Sequence, residues 1–174
     1  MRARKKRQPR GVVDTSVLVA GIAAFRRTET STSNPSASLI REWITKATFV
    51  WLVSKDILDE YKTVLARLRV APSIIGRTIN LISAGAERLA VSRARNISPD
   101  PGDEPFCACA EQGNADFIVT LNRKDFPQSL LNAHVIGPEE AIPTTARAES
   151  SLSETKSRNT GMNKRNLTEV STRG

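Results

Sequence analysis

G-V-V-D-T-S-V-L-V, residues 11 to 19, governs how the rest of the chain is read, because it sets one carboxylate, Asp14, directly behind two β-branched residues. Val12 and Val13 end a short buried strand, and Thr15 to Phe25 continues with Val17, Leu18, Gly21 and Ile22 at helical spacing. A strand that stops at an acid and passes into a helix puts negative charge at the carboxyl edge of a sheet. Open α/β folds bind ligands at that edge. Two hydroxyls, Thr15 and Ser16, follow the acid immediately.

Working outward, Arg26 to Asn34 is rich in Thr and Ser and reads as a loop. Pro35 and Ser36 then open a helix to about Lys46 with Leu39, Ile40, Trp43 and Ile44 on its apolar face. Thr48 to Val53 (T-F-V-W-L-V) is a second strand, followed by Ser54 as an N-cap and Asp56 in the first turn of a helix. That helix, from about Lys55 to Leu68, buries Ile57, Leu58, Tyr61, Val64, Leu65 and Leu68, and Glu60 borders the stripe. A carboxylate there is costly unless a cation meets it. Pro72 to about Ala84 is another helix, and Arg88 to Val91 a weaker strand.

The loop N-I-S-P-D-P-G-D-E-P-F, residues 96 to 106, delivers Asp100 and Asp103 to the start of a helix from Glu104 to Gln112, with Asp103 expected at its N-cap. Gly113 and Asn114 end that helix, and Phe117 to Leu121 (F-I-V-T-L) is the clearest buried strand. Asn122, Arg123, Lys124 and Asp125 lie just past its carboxyl end. His134 to Ile136 is a short last strand, and Pro138 to Ile142 a final helical turn. Strands alternating with helices predict an α/β fold of three α/β/α layers around a mainly parallel sheet. Acids at the carboxyl ends of its first and fourth main strands can then converge.

At 174 residues, 39% apolar and 25% charged, the chain suits one domain. Its net charge of +8 resides in the ends: residues 1 to 10 carry six cations and no acid, and residues 144 to 174 six cations and three acids. The body between them is nearly neutral. Cationic ends can hold phosphates without sequence preference, or can merely solubilise the chain. We expect residues 1 to 10 to form a mobile basic arm and 144 to 174, almost free of apolar residues, a disordered tail. Cys107 and Cys109 stand two apart on a helix, so they neither bridge each other nor frame a zinc site. With no signal peptide and no apolar run of membrane length, a cytoplasmic, membrane-free protein is expected.

Three or four clustered acids without cationic neighbours repel one another, and a bound divalent ion relieves that repulsion. Magnesium and manganese prefer such oxygen ligands. Other starts with an aspartate fit less well. A phosphatase of the haloacid dehalogenase kind wants a second aspartate where Ser16 stands, a receiver domain wants acids where Val12 and Val13 stand, and a nucleotide-binding turn wants glycines. Asp116 reads as a turn residue, His134 has no partner in sequence, and Trp43 and Trp51 read as core.

Four ordered strings, V-V-D-T-S-V-L-V, S-K-D-I-L-D-E-Y, D-P-G-D-E-P-F and A-D-F-I-V-T-L-N-R-K-D-F-P, resemble the four acidic blocks of PIN-domain proteins over roughly residues 11 to 142. The pattern is closest to the toxin branch of toxin-antitoxin systems. The resemblance implies a nuclease domain over residues 11 to 143 that hydrolyses RNA phosphodiester bonds with Mg2+ or Mn2+. Asp14, Glu60 and Asp103 match the family's metal-binding acids, and Glu60 would also help place or deprotonate the attacking water. Asn122 stands where many relatives place a fourth aspartate, and with Asp125 it would complete the far side. Thr15 and Ser16 match hydroxyls that orient the first acid or its metal-bound water, and Arg123 and Lys124 could contact backbone phosphate. RNA, an antitoxin protein and a second copy of the chain are the implied partners. Asn122 favours a rival reading, a PIN-like module that binds RNA or a partner with weakened catalysis.

Overall fold

The computed structural model describes residues 7–26, 34–92 and 96–143. Five strands form one parallel sheet: β1 (Arg10–Val13), β2 (Val50–Ser54), β3 (Glu87–Leu89), β4 (Phe117–Val119) and β5 (His134–Ile136). The helices are α1 (Thr15–Arg26), α2 (Pro35–Lys46), α3 (Lys55–Arg67), α4 (Pro72–Gly85) and α5 (Glu104–Gln112). Strand order is β3-β2-β1-β4-β5, a three-layer α/β/α arrangement as expected. Successive strand residues face opposite sides of a sheet. Leu52 and Val53, like Val12 and Val13, are both fully buried, so both faces are covered. That burial explains why these strands read as continuous apolar runs.

From β1 the order runs one way to β2 and β3 and the other way to β4 and β5. Such a reversal opens a crevice outside the carboxyl ends of the two central strands, β1 and β4. Gly11 is paired with Phe117 across them, and a Cβ at Gly11 would collide with the Phe117 ring. Any larger residue there would force the buried Phe117 ring to move.

Local signals set most boundaries. The Ser54 hydroxyl accepts the Ile57 N–H at 3.2 Å and caps α3. Asn34, missed at the edge of the Thr/Ser-rich loop, caps α2 by accepting the Ala37 N–H at 3.1 Å. The Tyr61 hydroxyl, wholly buried, donates to the Val13 carbonyl and fixes the rotation of α3 against the end of β1. Trp43 and Trp51 pack edge-on with ring centroids 4.8 Å apart, and both are core.

Several expectations are corrected. The first strand begins at Arg10, inside the stretch expected to be an arm, because the guanidinium of Arg10 grips Glu87 at 2.8 and 2.9 Å while the backbone N–H of Arg10 donates to the Asp116 carboxylate at 2.7 Å. Arg7 also pairs with Asp116, at 2.8 Å. The second strand is Val50–Ser54, and the third Glu87–Leu89. The fourth ends at Val119, since the Thr120 side chain turns to the acid of β1 and Leu121 is exposed. Pro138 to Ile142 forms no helix; the Glu140 N–H closes a turn on the Gly137 carbonyl at 3.1 Å. A 3-10 turn at Gln128–Leu130 was not foreseen. The loop expected over Arg26 to Asn34 falls mostly, and the tail over 144 to 174 wholly, outside the described residues, as do residues 1 to 6 of the arm.

Candidate active site

Asp14 sits where β1 hands over to α1. Its N–H donates to the Val119 carbonyl of β4 at 2.9 Å, and its own carbonyl accepts Val17 and Leu18 at 3.1 and 3.3 Å. Its side chain, in a residue only 5% exposed, is held at one oxygen. Oδ2 accepts the Ser16 hydroxyl and, at 2.8 Å, the Thr120 hydroxyl. Each hydroxyl is itself fixed by the segment after β4, Thr120 accepting the Asn122 N–H at 2.9 Å and Ser16 the Leu121 N–H at 3.2 Å. No donor among the described residues engages Oδ1. The carboxylate therefore presents a free oxygen in a fixed direction.

Thr15 makes no hydrogen bond to the Asp14 carboxylate: its Oγ1 is buried without a partner. Thr120 was not foreseen. A hydroxyl residue at the end of the clearest strand was a signal, but one that becomes readable only once β4 is known to lie beside β1.

Asp103, half-buried, stands at the N-cap position of α5 as expected, but its backbone is already helical and its side chain makes no capping bond. Burial, then the charges of Asp14, Asp100, Asp125 and Glu60, push its carboxyl up to about 7. Those charges act on Asp103 only because the four acids lie near it. Asp100 chiefly shapes the loop, its carboxylate accepting the Gly102 N–H at 2.8 Å. Asp125, in a 3-10 turn (Arg123–Asp125), accepts the side-chain amide of Asn122. Among the described residues no Lys or Arg forms an ion pair with Asp14, Glu60, Asp103 or Asp125.

The remaining candidates separate. Arg123 is paired with Glu140, while Lys124 is exposed beside the acids. Asp116 lies at the amino end of β4 with Arg7 and Arg10, at the opposite edge of the sheet from Asp14. His134 opens β5 at that same amino end, and it is exposed. Cys107 and Cys109 are buried free thiols. No helix among the described residues is long and apolar enough to cross a membrane.

A family model described as PIN domain matches residues 10–124. The chain belongs to the PIN-domain family. Among curated proteins the sequence finds no match. PIN domains are generally nucleases, typically with divalent metal ions, and PIN nucleases bind RNA. The match ends just before Asp125, so Asp14, Glu60, Asp103 and Asn122 all lie inside it.

The acids of this PIN domain suit a hard cation chemically, since they offer only oxygen. Among the described residues, no three His, Cys, Asp or Glu side chains stand close enough to share one ion directly. Asp14, Glu60 and Asp103 are thus neighbours without converging on one point. Magnesium is commonly held by one or two carboxylates together with waters and substrate phosphate. On that pattern the donor set fits.

Proposed function

We propose that this PIN domain is a metal-dependent endoribonuclease hydrolysing RNA phosphodiester bonds, and that it serves as the toxin of a toxin-antitoxin pair. One observation carries the reading: burial first, and then the charges of Asp14, Asp100, Asp125 and Glu60, push the Asp103 carboxyl up to about 7, and no cation is paired to Asp14, Glu60, Asp103 or Asp125 among the described residues. Such repulsion is out of place in a purely structural cluster.

Asp14, through its free Oδ1, and Asp103 would hold Mg2+ or Mn2+. The bound ion would supply charge compensation for a phosphate and a lower pKa for an attacking water. Ser16 and Thr120 keep Asp14 from turning. Glu60, beside the Tyr61 anchor and partly exposed, receives the proton of the attacking water. Asn122 steadies Asp125 on the far side, and Lys124 takes backbone phosphate, joined by Arg123 if it leaves Glu140.

The test is cleavage of single-stranded RNA by the purified chain in magnesium and then manganese. Asp14→Asn should reduce the rate by about 10²–10³-fold. Equal cleavage with and without Asp14 would sink the assignment. For the toxin role, induced expression should halt growth only while Asp14 is intact, and co-expression of an antitoxin protein should relieve it.

Asn122 favours a second reading. Its amide donates to Asp125, which leaves the far side one carboxylate short of what many relatives carry, as a binding module with weakened catalysis would have it. Calorimetry separates the two: such a module should show no manganese site abolished by Asp103→Ala.

A further inference from the structure

Asp103 and Asp125 reach the candidate site from two irregular segments, a loop over residues 96 to 103 and the three-residue turn Arg123–Asp125. Such segments move more than helices and strands, and they hold an ion poorly unless something fixes them. The Ser98 hydroxyl joins the two. It donates to the Asp125 carbonyl at 2.7 Å, across 27 residues of chain, and accepts the Asp100 N–H at 3.1 Å. The Asp100 carbonyl accepts the Asp103 N–H at 3.1 Å. Three hydrogen bonds thus run without a break from the backbone of Asp103 to that of Asp125.

Glu104, the first residue of α5, anchors this relay. It is only 6% exposed, and its Oε2 accepts the N–H groups of Ile97 and Ser98 at 2.7 and 2.8 Å. A buried carboxylate is a costly way to hold a loop that apolar contacts could pack. It supplies what they cannot, a fixed direction for two N–H groups and so for the Ser98 side chain between them and Asp125. The Asn122 amide meets the Asp125 carboxylate while Ser98 holds the Asp125 carbonyl, so side chain and backbone are gripped from two segments. We propose that Ser98, held by Glu104, is a positioning residue of the proposed metal site: its hydroxyl sets where the Asp125 carboxylate stands relative to Asp103. The inference rests on the nuclease reading and names what fixes the spacing that reading needs. Magnesium demands near-ideal oxygen positions at about 2.0–2.1 Å, so a small displacement of Asp125 costs affinity.

The experiment is manganese calorimetry on the full chain as a cycle of wild type, Ser98→Ala, Asp125→Ala and the two combined, which needs no turnover. Ser98 lies outside the hydrophobic core, so Ser98→Ala leaves the packing intact. It should weaken manganese about 10–100-fold, the scale of losing a group that orients a ligand. Ser98→Thr, which keeps the hydroxyl, should restore the affinity. Asp125→Ala removes the carboxylate and keeps the carbonyl, so adding Ser98→Ala to it should cost little more. That non-additivity marks a residue acting through Asp125. Ser92→Ala deletes a hydroxyl that donates to Gln112 at 3.1 Å, at the other end of α5, and should leave the affinity unchanged. Undiminished affinity in Ser98→Ala overturns the proposal. So does a loss of equal size with and without Asp125, which would make Ser98 a support of the loop alone, or an equal loss in Ser92→Ala. Coupled losses in a chain that leaves RNA intact uphold the positioning role and sink the nuclease reading. RNA cleavage with wild-type manganese affinity in Ser98→Ala does the reverse, and a wild type that takes up no manganese overturns both.

Discussion

The Thr120 hydroxyl donates to Oδ2 of Asp14 across 2.8 Å while accepting the Asn122 N–H at 2.9 Å. It thereby welds the carboxyl ends of two neighbouring parallel strands, β1 and β4, into one support. Ser16 makes a parallel link from α1 to Leu121. The direction of the Asp14 carboxylate is a consequence of strand pairing, and the residue after β4 sets it as much as the residues after β1.

Thr120→Val removes the donor to Asp14 and the acceptor for Asn122 while keeping the volume of the buried side chain. We expect manganese affinity and RNA cleavage to fall about 10–100-fold, the usual effect of losing a group that orients a metal-binding carboxylate. Thr120→Ser should restore both. Calorimetry with manganese and single-turnover cleavage are the measurements, and wild-type behaviour of Thr120→Val would show that Ser16 suffices alone.

In metal-free protein, Asp103 should make stability fall as pH rises. Its carboxyl titrates at about 7 in the fold against an ordinary 3.8. Between those values the folded chain binds more protons than the unfolded one, so the contribution is fully present below pH 4 and is lost through neutrality. Asp103→Asn should flatten this slope and raise the metal-free melting temperature at pH 8. Denaturant titrations from pH 5 to 8 check it; parallel curves for the two chains would mean that neither burial nor the neighbouring acids raise the Asp103 carboxyl.

What the sequence makes legible follows how far apart the interacting residues lie along the chain. Ser54 caps a helix three residues away, and Pro35, Pro72 and Gly113 mark ends that lie beside them, so α2 to α5 are readable almost to the residue. Asp14 is readable because buried strand, acid and helix are contiguous. Thr120 meets Asp14 only through the register that sets Val13 beside Val119, and no local pattern carries that. Nor does sequence tell Thr15 from Ser16, since a one-residue step around the start of α1 decides which hydroxyl meets the acid. Arg10 shows the converse error: a cation in a basic run belongs to a strand because Glu87 and Asp116, more than seventy residues on, bind it.

Asn122→Asp would supply the fourth aspartate that the resemblance to PIN-domain proteins leads one to expect. Here it would set a second carboxylate against the Asp125 oxygen that the Asn122 amide now contacts. Like charges at that separation destabilise each other unless a cation intervenes. The metal-free variant should therefore melt lower than wild type at pH 7, while manganese raises its melting temperature by more than it raises that of wild type. Scanning fluorimetry with and without manganese reads both quantities, and an equal metal-induced rise in the two chains would argue against a second ion at this side.

Tyr61→Phe tests whether Glu60 depends on its neighbour for its place. The phenol, buried fully, donates to the Val13 carbonyl one residue before Asp14. Deleting it leaves a buried carbonyl without that donor and should cost about 1–3 kcal/mol of stability at pH 7. Burial, and secondarily the charge of Asp14, hold the phenol well above its ordinary 10.0, so the folded chain keeps a proton that the unfolded chain releases in alkali. The stabilising effect of Tyr61 is thus complete below pH 10 and declines above it, and the gap between wild type and Tyr61→Phe should narrow there. Urea titrations at pH 7 and 10.5 measure the gap. Because the same bond sets the rotation of α3, the variant should also lose RNA cleavage with its manganese affinity preserved, since Asp14 and Asp103 remain. A rate loss that tracks lost metal binding instead would place Tyr61 in support of Asp14, not of Glu60.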